Sequence, residues 1–372
     1  MSPSRRRRRA SPEWEGREVI TVAALPGRGL YVRHLGHPEG VDGIHRPTVL
    51  VPGAAHRPVA MFEPGWLWSN VDDMDVVHVH GLPPRQTPQE TIQSADLVHR
   101  AGLPLVVTLY HLTDPTGLDP GGFESQLDAL IPRADRVITL TDSAAAEVEQ
   151  RWAVPAQVLP HPHVVDFVRM RRERPPRSRS RFMIGAHLGS LRFPADPVAT
   201  VEALTAAASK IPEARLDVRV HDHLVDPESS RYEPAVIHQI ESLVRDAGGV
   251  LRADRPMTDP QLWDYLYGLD ASFVPPLAGS HSIWPEACFD LGIWAILPAD
   301  SHAAAQQQVS TYTRTETGTP DLTSLTAALQ EAFDQTQAPR ADPSARWKER
   351  VSISETLRGC YEELGSLSGS AR

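Results

Sequence analysis

The chain has 372 residues, 41% hydrophobic and 23% charged, and a formal net charge of −10, which suits two packed domains and excludes a chain disordered throughout. The negative balance argues against a nucleic-acid binder, which needs a cationic face for phosphates. The two cysteines, Cys288 and Cys360, stand in no metal-ligand spacing and imply neither a disulfide framework nor a zinc site, which fits a reducing cytoplasm, and no run of about 18 apolar residues crosses a bilayer.

Residues 1–17, with the block RRRRR, are followed by polar residues rather than an apolar signal core and read as a basic tail. REVITVAAL is a strand, closed by the turn PGRGL. PTVLVPG, DVVHVHGLPP, PLVVTLYHL, DRVITLTD and VPAQVLPHP are further strand signals. Between them QETIQSADLVHRAG, FESQLDALIPRA and SAAAEVEQRW have helical spacing, the last with Ser143 as its expected N-cap. Strands that are near-continuous apolar runs, alternating with helices, predict a parallel sheet covered on both faces.

MRRERPPRSRSR, basic and proline-rich, marks a linker over about residues 169–181 and separates a domain of residues 18–168 from a second of 182–335. There the alternation restarts: FMIGAHLGSL, ARLDVRVHDH, GGVLRAD, ASFVPPL and WAILPAD as strands, the last of them final. The helices expected between are ADPVATVEALTAAASKI, PAVIHQIESLVRDAG, TDPQLWDYLYGL, capped by Thr258 or Asp259, and EACFDLG; residues 336–372 supply terminal helices expected to cross back to the first domain. The fold class is therefore α/β, two Rossmann-like doubly wound domains facing a cleft. Loops after strands carry ligands in such folds. Here they are rich in His, Arg, Gly and Ser and poor in acids, a composition that suits an anionic ligand held by backbone N–H groups and arginine. No strand is followed by G-x-G-x-x-G with an acid about 20 residues on, so a nicotinamide-dependent enzyme fits poorly.

DVVHVHGL, PLVVTLYHL, ADRVITLTDSAAAEVEQRW and VLPHPHVVD, followed by HLGSLR, TDPQLWDYLYGLDASFVPPL and GSHSIWPEACFDLG, come in an order that resembles the retaining nucleotide-sugar glycosyltransferases of the GT-B architecture. That family includes glycogen synthase and bacterial mannosyl- and N-acetylglucosaminyltransferases. The resemblance covers about residues 18–335, and the loop around Glu286 is similar to that of an actinobacterial branch.

The resemblance implies site roles. Glu286 would bind the ribose hydroxyls. The family's other loop glutamate falls on Ala278, and its Arg and Lys on Ser190 and Ala195, so Arg192 becomes the diphosphate cation and His281, Ser282 or Asp290 the partner of the sugar hydroxyls. Gly189, Ser190, Gly279, Ser280, His281 and Ser282 would surround phosphate and sugar, as would Gly27 and Gly29 of PGRGL. His111 would stand near the donor sugar, catalytically with Arg192. His78 and His80 are expected on opposite strand faces, with His80 alone at the open end; His80, Arg28, Arg33 and His34 would face the acceptor, while His161 and His163 mark the junction.

The implied function is a cytoplasmic, retaining transferase that needs no metal or cofactor. It would use a GDP- or UDP-sugar as co-substrate and a small-molecule hydroxyl or thiol as acceptor. An arginine- and alanine-rich composition is compatible with natural-product biosynthesis. The departures at Ala278, Ser190 and Ala195 leave open an epimerase-like enzyme on the same fold or a non-catalytic nucleotide-sugar binder.

Overall fold

The computed structural model describes residues 19–27, 29–47, 62, 64–82, 86–115, 117, 119–174, 180–189, 191, 195–276, 280–335 and 337–370. The chain forms two compact units: an N-terminal unit of Met1–Thr113, Asp119–Pro162 and Arg346–Arg372, and a C-terminal unit of Asp114–Leu118 and His163–Ala345.

In the N-terminal unit the chain runs β1 (Ile20–Leu25), α1 (Leu30–Arg33), β2 (Ile44–His45), α2 (Pro64–Asn70), β3 (Val76–Val79), α3 (Pro88–Arg100), β4 (Leu105–Thr108), α4 (Pro120–Leu130), β5 (Arg136–Thr139), α5 (Asp142–Trp152) and β6 (Ala156–Val158). The six strands form one parallel sheet in the order β2-β1-β3-β4-β5-β6. Side chains alternate between its faces with the strand period of two. Ala23, Leu25, Val77, Val79, Leu105 and Val107 pack on one side with α2, α3 and α4. Val22, Ala24, Val76 and Val106 pack on the other with residues of the chain's last helix, among them Ile353, Leu357 and Tyr361. Both faces are dry, which is why the strands read as unbroken apolar runs.

The C-terminal unit continues with α6 (Phe167–Met170), β7 (Phe182–Leu188), α7 (Pro197–Ala208), β8 (Ala214–His221), α8 (Pro234–Asp246), β9 (Val250–Asp254), α9 (Asp259–Tyr267), β10 (Ala271–Phe273), α10 (Ile283–Leu291), β11 (Trp294–Pro298), β12 (Ser310–Tyr312) and α11 (Leu322–Asp334). Its parallel sheet has the order β12-β11-β10-β7-β8-β9. The last helix, α12 (Pro343–Ser370), belongs to the N-terminal unit from Arg346 onward. Gly185 lets α9 lie close against β7: a Cβ there would come within 2.6 Å of the Tyr265 hydroxyl and into the Leu269 side chain.

Local signals set most boundaries. Thr87 opens α3 with a capping box, its Oγ1 accepting from Glu90 N while the Glu90 carboxylate accepts from Thr87 N. Thr258 and Gln261 do the same for α9. The expected cap Ser143 is displaced: Thr141 sits in extended backbone and its Oγ1 accepts from Ala144 N, so α5 starts one residue before Ser143. WAILPAD is not the final strand. β12 follows it, three residues long and preceded by glutamines, too short and polar to show a period. The expected strand PTVLVPG lies outside the described residues beyond Pro47. Within the expected linker, α6 ends at Met170 and residues 175–179 lie outside the described residues.

Candidate functional site

Open parallel sheets bind ligands where the strand order reverses, at the carboxyl ends of the strands. In the N-terminal unit the chain steps from β1 out to β2 and returns past β1 to β3, so the reversal lies between β1 and β3. In the C-terminal unit it runs β7, β8, β9 and then crosses to β10 on the other side of β7. Those four strand ends lead into Gly27 and Tyr31, His80, Gly189, and the stretch from Ser280 to Glu286.

At the N-terminal reversal, His78 is wholly buried and bridges two hydroxyls: Nδ1 lies 2.6 Å from Tyr361 Oη and Nε2 2.8 Å from Thr108 Oγ1. A neutral imidazole donates to one and accepts from the other. Burial, then the neighbouring His80 and Arg46, hold its pKa well below the usual histidine value. His80 stacks on His78 with ring centroids 3.8 Å apart and meets the edge of Tyr31 at 5.8 Å. It is 5% exposed, and neither of its nitrogens has a hydrogen-bond partner among the described residues. Burial, with Arg46 second, pushes it down to about 3, so it is neutral at pH 7. Tyr31 also meets Tyr110 and His161 edge-on at 5.3 and 5.1 Å. His161 donates from Nδ1 to Pro162 O, which leaves Nε2 to accept from the Tyr110 hydroxyl at 3.1 Å.

The C-terminal reversal holds a second ring cluster. His187 stacks on Trp284 at 5.3 Å and meets His221 edge-on at 5.0 Å; His221 stacks on His223 at 5.4 Å. A Cβ on Gly189 would stand 3.0 Å from His221 Nε2 and 3.4 Å from His187 Cε1, so only glycine lets the strand end pass these rings freely. Burial, then His221 and Arg219, depress His187 to about 4, against a smaller opposing pull from Asp254. His221 is lowered by burial and His223, with Asp222 opposing.

Glu286 lies in the first turn of α10, whose N-cap Ser282 accepts from Trp284 N. Its carboxylate is wholly buried and clamped by two side-chain amides, Gln306 Nε2 donating to Oε1 at 3.0 Å and Gln307 Nε2 to Oε2 at 2.9 Å. The Gln306 amide also closes on Ser282, accepting from its N and donating to its O. The glutamate, its cap and the QQ pair are thus one rigid unit.

The sequence-predicted residues distribute as follows. Ser280 and His281 are buried beside this unit, His281 stacked on His302 at 5.7 Å. Asp290, an expected partner of sugar hydroxyls, is buried, and its Oδ2 accepts from Val164 N and Val165 N at 2.8 and 3.1 Å, which fixes the stretch after Pro162. His163 turns its Nδ1 to Val165 O and packs on Phe167. His111 follows β4 and meets Tyr110 edge-on at 4.9 Å, which places it beside the N-terminal cluster. Gly27 is constrained, since a Cβ would stand 3.3 Å from Ala24 O, whereas Gly29 has open space around it. Arg33 ends α1 and is exposed; His34 caps that helix. Arg28, Ser190, Arg192, Ala278 and Gly279 lie outside the described residues.

The expectation that His78 and His80 take opposite faces is corrected by their stacking. Residues two apart on a strand share a face, so both rings enter one cluster. Sequence reasoning missed Arg46, Tyr31, Thr108 and Tyr361 in this cluster, and Trp284, Gln306 and Gln307 in the other. His187, His221 and His223 of the second cluster were also not singled out, and their signal was their place at strand ends in HLGS and HDH.

Among the described residues no group of three or more His, Cys, Asp or Glu side chains could hold a metal ion, and no helix is long and apolar enough to cross a membrane.

No protein-family model matches the sequence, and no curated protein resembles it closely in sequence. The fold does have relatives. The chain is similar to sucrose-phosphate synthase from Thermosynechococcus elongatus, at 16% identity and TM-score 0.53 over 95% of this chain and 98% of that one. It is similar to the UDP-forming α,α-trehalose-phosphate synthase from Burkholderia xenovorans in complex with glucose-6-phosphate, at 12% identity and TM-score 0.54 over 82% and 75%. It is also similar to the UDP-GlcNAc 2-epimerase from Neisseria meningitidis bound to UDP-GlcNAc, at 12% identity and TM-score 0.51 over 91% and 99%. With two six-stranded parallel sheets in series, the chain has the fold of the GT-B glycosyltransferases, two Rossmann-like doubly wound domains.

Proposed function

We propose that the chain is a glycosyltransferase that moves a sugar from a nucleotide-diphosphate donor to a small-molecule acceptor, with retention at the anomeric carbon. The observation that carries the reading is the buried, amide-clamped Glu286 at the C-terminal reversal, on a fold shared with enzymes whose names record UDP-sugar chemistry. Glu286, oriented by Gln306 and Gln307, is the ribose-binding carboxylate. Gly189 with His187 and His221 supplies the neutral donors around the diphosphate, and Arg192 supplies the cation that meets its growing charge. In the transfer, the bond from the anomeric carbon to the donor phosphate oxygen breaks. The acceptor oxygen or sulfur bonds on the same face, and its proton passes to the departing phosphate oxygen. That scheme asks for no protein nucleophile, metal or cofactor. His111 stands near the donor sugar, and Tyr31 and His80 line the acceptor side. A cytoplasmic role in natural-product biosynthesis is consistent with this chemistry.

The test is a thermal-shift series with UDP-, GDP-, ADP- and dTDP-sugars on wild type and Glu286→Gln, with release of the nucleoside diphosphate measured alongside. A ligand at a hundred times its Kd stabilises by about 2.7 kcal/mol. On a unit of 150–250 residues that is roughly 5–11 °C. One nucleotide shifting the wild type but not Glu286→Gln supports the reading; no shift from any of the four at millimolar concentration overturns it. Because the fold is shared with a 2-epimerase, the same mixtures without acceptor are checked for an isomerised sugar nucleotide, which would replace transfer by epimerisation.

A further inference from the structure

The second site lies in the N-terminal unit and concerns a charge. Arg46 follows β2, and two of its nitrogens, Nε and Nη2, are buried with no hydrogen-bond partner among the described residues. They are the two N–H groups that form one side-on fork of the guanidinium, the pair whose geometry matches two oxygens of a carboxylate or phosphate. Buried N–H groups are nearly always satisfied, and leaving a charged one unmet is more costly than leaving a neutral one. An unpaired fork is therefore the shape of a missing oxyanion.

The surroundings agree. Arg46 acts electrostatically on Tyr31, His78, His80 and Tyr361, so its guanidinium lies near the ring cluster at the β1–β3 reversal. The Tyr361 hydroxyl hydrogen-bonds the Arg46 side chain outside that fork. His80, also buried, has both nitrogens without a partner among the described residues. Asp42 stands in this corner, its Oδ2 and Arg46 Nη1 both facing Gly36. It accepts from His37 N and Ile44 N at 3.0 and 3.3 Å and is committed to the turn before β2. The cluster thus offers an open cationic fork and an open imidazole, with Tyr31 packed edge-on against His80, at the end of the sheet where ligands of this fold bind.

We infer that Arg46 and His80, with Tyr31 packed between the rings, form an oxyanion-binding subsite, and that the small molecule bound at the N-terminal reversal carries a carboxylate or phosphate group. That this molecule is the acceptor rests on the transferase reading; the subsite itself does not. The fork grips two oxygens of the anion, His80 donates one N–H to a third or to a neighbouring hydroxyl, and the ring edges exclude water around them.

The experiment is a calorimetric and thermal-shift titration of the full chain with inorganic phosphate, and separately with acetate, at ionic strength held constant with sodium chloride. It is run with and without the nucleotide that shifts the wild type. Wild type is compared with Arg46→Gln, Arg46→Lys and His80→Leu. Saturable binding that weakens about 10- to 100-fold in Arg46→Gln and in Arg46→Lys, which keeps the charge but loses the fork, and also weakens in His80→Leu, supports the subsite. Tighter phosphate assigns a phosphoryl group and tighter acetate a carboxylate. Equal affinity in wild type and Arg46→Lys, or no anion effect beyond chloride, overturns it; Arg46→Lys and His80→Leu keep the test decisive if Arg46→Gln does not fold. A nucleotide shift without an Arg46-dependent anion shift sinks the subsite alone. An Arg46-dependent anion shift without any nucleotide shift sinks the transferase reading alone.

Discussion

Removing the imidazole of His80 should flatten the acid sensitivity of the chain by an amount that its burial fixes. Folding lowers the His80 pKa from 6.5 to about 3. The unfolded chain therefore takes up a proton as pH falls through 6.5, while the folded chain refuses it until about 3. Stability is full above 6.5 and is lost as pH falls through that window, because there the unfolded state binds more protons. Each pH unit within the window costs about 1.4 kcal/mol. Between pH 7.5 and pH 5.0 only the roughly 1.5 units below 6.5 count, so His80 removes about 2 kcal/mol. His78 and His187 are depressed in the same direction and also cost stability in acid. They are present in both proteins and largely cancel in a difference. The assay is urea unfolding followed by circular dichroism at the two pH values, for wild type and His80→Phe, which keeps a ring in the stack. Wild type should lose about 2 kcal/mol more than the variant on acidification. A difference below about 0.5 kcal/mol would refute the reasoning, because a buried unpartnered imidazole cannot then be the group that resists the proton.

Asp290→Ala leaves the buried Val164 and Val165 N–H groups without their acceptor. At about 1–3 kcal/mol for each orphaned group the loss is about 3 kcal/mol, read as a fall of about 6–12 °C in the calorimetric midpoint of the C-terminal unit; a fall under about 2 °C would show that the stretch after Pro162 finds other acceptors. Cys288 and Cys360 are both buried, and burial pushes the Cys288 thiol up to about 12 and the Cys360 thiol upward too. Ellman's reagent at pH 8 should therefore label neither in the native protein and both in guanidinium, and a rapidly labelled native thiol would contradict the packing.

Much of this molecule is legible in one dimension because its determinants are local. ITVAAL, VVHV and LVVT are apolar on both parities, and a strand with both faces buried has to be. The capping pairs Thr87–Glu90 and Thr258–Gln261 are three residues apart, within reach of one helical turn. The doubly wound architecture follows from such elements in alternation, and Glu286 stands out because it opens a helix that follows a buried strand.

What sequence could not supply is every contact that closes over distance. Gln306 and Gln307 lie some twenty residues beyond the carboxylate they clamp, in a run that has no period and no motif. Tyr361 reaches His78 across 283 positions, because α12 returns to cover the sheet. The three short residues of β12 pair only because β11 offers an edge. The open fork of Arg46 is invisible until burial removes the water that would have solvated it. The sequence alone thus determined the elements, their alternation and the polarity of the loops, since side-chain period and capping act within a few residues. The tertiary structure alone decided which histidines stack, which acids are spent on backbone and which cation is left waiting, since desolvation and pairing depend on groups that only folding brings together.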